Sequence, residues 1–187
     1  MIFKDTELPG VLEILPVVHK DSRGHFLEVY NQHQYDQKTG AKQWLQDNLS
    51  YSTRGVVRGL HLQWPKPQGK LVSAVYGRIF DVAVDVRQGS ERFGHWVARI
   101  LDHTTQTQLW IPPGFAHGFQ VLSDTAAVHY KCSSNFWSPD TEICIRFNDP
   151  DIGIDWPIEV CDVSARDRAA PYLNACGELP HYESDAK

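Results

Sequence analysis

Turn signals punctuate this chain at short intervals, and that punctuation limits what it can build. "PG" at Pro9, "DSRG" from Asp21, "TRG" from Thr53, "YG" at Tyr76, "RQGS" from Arg87, "PPG" from Pro112 and "NDP" from Asn148 cut it into short runs rich in β-branched and aromatic residues. Runs of that length read as strands of an all-β protein. The candidates are "GHFLEVYN", "GKLVSAVYG", "RIFDVAVDV", "HWVARIL", "TQLWIP", "AVHYKC" and "EICIRFN", and "GVV" before Arg58 also reads as buried strand. In "RIFDVAVDV", Ile79, Asp81, Ala83 and Asp85 alternate with Phe80, Val82, Val84 and Val86, so period two predicts a face buried by the second set. So many short strands must hide their edges by closure or a second sheet, which predicts a sandwich or barrel.

Helix signals are confined to the ends of the chain. "NQHQYDQKTGAKQW" after Asn31 has room for a turn or two, and "SARDRAAPYL" offers Ser164 as a cap with Asp167 three residues on, a capping box with Asp in place of Glu or Gln. No internal repeat or linker divides the 187 residues, so one domain over residues 1–187 is expected, with the tail after Pro180 fraying.

Composition narrows the function classes. Apolar residues make up 42% and charged residues 22%, as in ordinary globular proteins. The formal net charge of −5 without a Lys/Arg run argues against a nucleic-acid partner. A signal peptide and a long apolar stretch are both missing, so a cytoplasmic protein without membrane insertion is expected. Cys132, Cys144, Cys161 and Cys176 are widely spaced with no C-x-x-C, which reads as reduced thiols in place of a zinc finger or a redox pair. No G-x-G-x-x-G, P-loop or G-x-S-x-G is present, so nicotinamide, flavin, ATP and that acyl-transfer elbow lack support and no cofactor is expected.

The polar heads that stand out are in "RGLHLQWPKPQGK", Arg58 to Lys70, and "PPGFAH", Pro112 to His117. Their arrangement resembles the cupins, jelly-roll proteins whose motifs supply histidines and a carboxylate to a metal. Here "HLQ" at His61 and Lys70 replace two of the four expected ligands, and an ammonium disfavours a dication nearby, so the expectation is a cupin-type double-sheet β barrel with short peripheral helices and no metal. Removing a proton from carbon beside a ketone needs a base, a cation near the oxygen that becomes an enolate, and an acid to return a proton. His61 suits the first task because imidazole titrates near neutrality, Lys70 the second, and a tyrosine the third.

Over "RGLHLQ…QGKLV", "GRIFDVAVDVR", "FGHWV", "LWIPPGFAHGFQVLS", "YKCSSNFWSP", "NDPDIGIDWP" and "SARDRAAP" the chain resembles the dTDP-4-dehydrorhamnose 3,5-epimerase family, which acts in dTDP-L-rhamnose synthesis. The resemblance implies that His61 is the base, that Asp167 holds its ring, that Tyr130 delivers a proton from the opposite face, and that Lys70 with Arg58 stabilises the enolate oxygen or the nearby phosphates. It implies a dTDP-4-keto-6-deoxyhexose substrate, bound by Arg23, Phe26, Glu28, Gln46, Asn48, His117, Glu142 and Arg166. It also implies a homodimer in which the segment from Arg23 to Glu28 crosses to the neighbour's pocket, an exchange that a long N-terminal strand without a local partner would suit. Phe136 or Trp137 could stack on the thymine, and Phe115 and Phe119 would wall the pocket. Three other readings are compatible with parts of the pattern: a single-carbon epimerase or ketoisomerase, a silent sugar-nucleotide binding module, and a metal-dependent cupin.

Overall fold

A computed structural model describes residues 1–41, 43–134 and 141–182. The strands are β1 (Ile2–Asp5), β2 (Leu12–Leu15), β3 (Val18–Asp21), β4 (Gly24–Leu27), β5 (Gln46–Thr53), β6 (Val56–Gln63), β7 (Lys70–Tyr76), β8 (Arg78–Asp85), β9 (Trp96–Asp102), β10 (Gln108–Ile111), β11 (Phe115–Val121), β12 (Thr125–Cys132), β13 (Glu142–Cys144) and β14 (Asp162–Val163). Helix α1 covers Gln32–Thr39 and α2 covers Ala165–Ala169. The first sheet runs β1-β2-β10-β7-β12-β5 and the second β13-β6-β11-β8-β9, with β14 added in parallel to β6. β3 and β4 form a separate hairpin. The two sheets face each other, as the density of turns predicted.

Between the sheets lies one apolar cluster. Val72, Ala74, Leu109, Ile111, Ala126 and Val128 of the first sheet meet Ile79, Ala83, Val97, Leu101, Phe115, Phe119 and Val121 of the second. A second cluster covers the outside of the second sheet, where Leu60, Leu62, Val82, Val84 and Ala116 pack under Ile145, Ile152, Leu173 and Leu179. On the outside of the first sheet, Leu12, Ile14, Leu71 and Trp110 pack against Tyr35 of α1 and, partly exposed, Trp44.

This layering corrects the alternation expected in "RIFDVAVDV". Ile79, Asp81, Ala83 and Asp85 are each fully buried, because they face the inter-sheet core, while Val82, Val84 and Val86 are buried under the outer cover. A strand covered on both faces loses the one-sided pattern. Asp85 is tolerated there because Arg87 forks onto both its carboxylate oxygens and Ser90 donates to Oδ2. The guanidinium of Arg87 also stacks on Phe115, which places that ring in the core and off the pocket wall.

The N-terminal segment also differs from expectation. β1 and β2 pair with each other and β2 pairs with β10, so this part of the chain has local partners. The tail is tied as far as Tyr182, whose backbone N–H donates to the Gln88 carbonyl and whose ring lies under Arg87. "GHFLEVYN" and "EICIRFN" keep strand geometry only over Gly24–Leu27 and Glu142–Cys144. The four cysteines are free thiols. Among the described residues no helix is long and apolar enough to cross a membrane.

Candidate active site

The strand β6 owes its site to an irregular register. Its partner β11 pairs His117 with His61 and Phe119 with Arg58, so three steps along β6 match two along β11. Such a bulge lets Arg58 and His61, an odd number apart, both project into one space. Gly59 makes the bend possible: its φ is +130°, and a Cβ there would sit 2.5 Å from the Cα of Gly118. The result is a cavity of about 640 Å³ at one end of the sandwich, with His61, Arg58 and His117 on the second sheet and Tyr130, Lys70, Gln46 and Asn48 on the first.

Asp167 reaches this cavity through β14 and α2. Asp162 and Val163 pair with Val56 and Val57 of β6, and Ser164 then starts the helix by accepting the Asp167 backbone N–H at 3.0 Å. Only half of the expected capping box forms. The Asp167 carboxylate turns instead to His61, with Oδ1 2.6 Å from Nε2, and Oδ2 accepts the Gly59 N–H at 3.3 Å. The two partners are 106 residues apart in sequence. Burial pushes the Asp167 pKa up, but the bond to His61, the imidazole charge and the donors at Gly59 and Ser164 outweigh it and hold the carboxyl below the usual carboxylate range. An ionised Asp167 fixes the Nε2–H tautomer and leaves Nδ1 of His61 as the basic atom.

Across the cavity, burial raises the Tyr130 hydroxyl pKa, with Cys132 and Glu142 adding to it and Arg58 opposing, so the phenol is a proton donor at neutral pH. Burial lowers the Lys70 pKa, an effect only partly countered by Cys132, Glu142, Asp81 and Cys144, and its Nζ donates to the His61 carbonyl at 3.3 Å. Arg58 donates to Ser52 Oγ at 2.9 Å. Glu142 accepts a close hydrogen bond from Arg166, and both line the rim.

Sequence reasoning missed Asp81. Its Oδ1 is 2.7 Å from His117 Nε2, its Oδ2 has no hydrogen-bond partner among the described residues, and it is fully buried. Burial raises its pKa, only partly countered by His117 and Lys70. A carboxylate between apolar neighbours in a strand was the available signal. Also missed were the lining residues Ser50, Gln63 and Gln68, which sit next to predicted ones without a motif of their own. Cys144 was missed as well: it pairs directly with His61 across the β6–β13 ladder, and burial pushes its thiol up to about 11.

The structure does not bring every predicted residue together. Arg23, Phe26 and Glu28 are absent from the cavity wall of their own chain; Arg23 is paired with Asp21 on the β3–β4 hairpin, and Phe26 is 73% exposed. Phe119 lines the cavity as expected. Phe136 and Trp137 lie outside the described residues.

Comparison with known proteins decides the family. A profile described as dTDP-4-dehydrorhamnose 3,5-epimerase matches residues 5–175. The chain belongs to this family. A relative in Pseudomonas aeruginosa named dTDP-4-dehydrorhamnose 3,5-epimerase is 50% identical over 153 residues, 81% of this chain and 84% of that one. The crystal structure of a dTDP-6-deoxy-D-glucose-3,5-epimerase from Legionella pneumophila, in complex with dTDP-4-keto-L-rhamnose, superposes with a TM-score of 0.94 at 42% identity, covering 98% of this chain and 99% of that one. A 3'-monoepimerase from Streptomyces bikiniensis, solved with dTDP-quinovose, superposes with a TM-score of 0.88 at 35% identity over 95% and 92% of the two chains.

Proposed function

We propose that the protein inverts carbons 3 and 5 of dTDP-4-dehydro-6-deoxy-D-glucose to give dTDP-4-dehydro-L-rhamnose. The observation that carries this reading is that His61 and Tyr130 belong to different sheets and line one cavity from its two walls. Inversion needs the returning proton to come from the face that the departing one did not leave.

Nδ1 of His61 takes the proton next to the 4-keto group, and Asp167 steadies the imidazolium that forms. The electron pair moves to the ketone oxygen, where Lys70 and Arg58 supply positive charge. Tyr130 protonates the enolate from the other wall and is reprotonated from solvent. One aimed donor of this kind is worth about 3–4 kcal/mol in the transition state. Gln46, Asn48, His117, Glu142 and Arg166 hold the nucleotide and sugar hydroxyls around this centre.

The protein acts as a homodimer in the cytoplasm on this reading, and the partner's hairpin brings Arg23, Phe26 and Glu28 to the site. Support comes from the inverted pattern of β5. Its polar residues Gln46, Asn48 and Ser50 face the cavity, while Leu49 and Tyr51 are 68% and 63% exposed on the outer face. Tyr76, also exposed, pairs across β12 with Ala127, which in turn pairs with Tyr51, so it extends the same patch. An apolar outer patch on a soluble sheet marks an interaction surface.

The deciding experiment is proton NMR of the substrate and enzyme in heavy water. Deuterium entering at both carbons is the expected outcome. Entry at one carbon alone would convert the reading to the single-carbon chemistry of the kind named for the Streptomyces bikiniensis protein, and no entry at all would leave a binding module.

A further inference from the structure

One reactive group beside the dyad has no part in the epimerisation. Cys144 on β13 lies opposite His61 on β6, and directly opposed residues of an antiparallel pair project from the same sheet face. The Cys144 sulfur, a ring nitrogen of His61 and a carboxylate oxygen of Asp167 all lie within 4.8 Å of one another. Three separate elements supply them: β13, β6 and α2. Thiolate, imidazole and carboxylate together form a donor set suited to zinc-like ions, and tetrahedral bonding would place such donors roughly 3.3–3.6 Å apart. Reaching that spacing needs the thiol drawn in and the His61–Asp167 contact, now 2.6 Å, opened by about 0.7 Å as the cation enters between them. The cavity to which His61 and Asp167 are open leaves space for water as a fourth ligand.

We propose that His61, Cys144 and Asp167 form a binding site for a thiophilic divalent cation, with zinc as the type case, and that its occupancy shuts the active site off. The inhibitory part rests on His61 being the base; the binding part does not. The cation replaces the proton held between His61 Nε2 and Asp167 Oδ1. That proton moves to Nδ1, the thiol proton leaves to solvent as the sulfur bonds the metal, and no electrons are transferred. A metal with thiolate and carboxylate ligands adds a single positive charge after the proton is released; Glu142 beside Cys144 is already paired with Arg166, so Arg166 and Lys70 oppose that charge and the two ligand charges must carry the binding. With Nδ1 protonated, the ring has no lone pair for the substrate's proton.

The test uses the full-length protein, first treated with chelator and then titrated with zinc chloride while solvent deuterium entry into the substrate is followed. One equivalent is expected to stop exchange, and EDTA to restore it. Cadmium chloride should give a cadmium–thiolate charge-transfer band in the ultraviolet. Cys144→Ser should keep the metal-free exchange rate, lose that band, and need at least about tenfold more zinc for inhibition. An unchanged exchange rate at several equivalents of zinc, or equal zinc response and an equal band in Cys144→Ser, would overturn the proposal. If the protein proved unable to exchange substrate protons at all, the cadmium band and its loss in the variant would still decide whether the site binds metal.

Discussion

At the scale of single residues the proposed mechanism divides labour between two walls, and variants should separate those duties. His61→Ala is expected to lower both inversion and solvent exchange by about 10²- to 10⁴-fold, because no other group takes the proton. Tyr130→Phe should behave differently: His61 can still remove and return the proton on its own face, so deuterium exchange persists while product formation falls. Comparing NMR exchange with product yield in the two variants checks this split. Asp167 adds a dependence on pH. Its folded pKa lies below the ordinary carboxylate value of 3.8, so the stability it contributes is complete above that value and is lost as pH falls through the folded pKa. Urea unfolding of Asp167→Asn against the parent should therefore show a shallower loss of stability on the acid side. Asp81 works in the other sense, since its folded pKa is raised and its contribution is lost as pH rises above the unfolded value.

At the scale of elements, the placing of Asp167 depends on a five-residue helix with one side-chain cap. A helix so short gains little from its own hydrogen bonds. Ser164→Ala should remove about 1 kcal/mol of local stability. It should lower kcat more than it raises KM, because it loosens the orientation of Asp167 while the substrate contacts stay in place. Steady-state kinetics beside thermal unfolding would separate the two effects. The bulge in β6 makes a sharper demand. Gly59→Ala puts a methyl group into Gly118 at a positive φ, so a loss of well over about 1 kcal/mol is expected, read as a lower urea midpoint. Here sequence and structure are related in an instructive way: "RGLH" was visible as a motif, but the reason for its glycine lies in the approach of a strand met only some sixty residues later.

At the scale of the whole molecule, the sheets take two opposite solutions to burial. The second sheet is covered on both faces, whereas β5 at the edge of the first turns polar side chains inward and apolar ones outward. If the proposed homodimer forms through that outer face, a charged substitution there, Tyr51→Asp, should shift it from dimer to monomer in light scattering and lower activity by removing the hairpin that the proposal brings across. His61 itself should stay paired with Asp167. A Tyr51→Asp protein that remained a dimer would place the interface elsewhere.

The sequence alone determined the local rules: short strands between turn residues, the Ser164 cap, and His61 and Lys70 as candidate chemistry-bearing groups, with Tyr130 and Asp167 added only by the family resemblance. These are legible because backbone preference and side-chain chemistry are properties of neighbouring residues. The tertiary structure decided which groups meet. Asp81 joins His117, Cys144 stands beside His61, β1 finds β2, and Arg23 is absent from its own chain's cavity wall. Those outcomes follow from strand register and two-sided burial, which depend on contacts between distant segments and leave no period or motif in the chain.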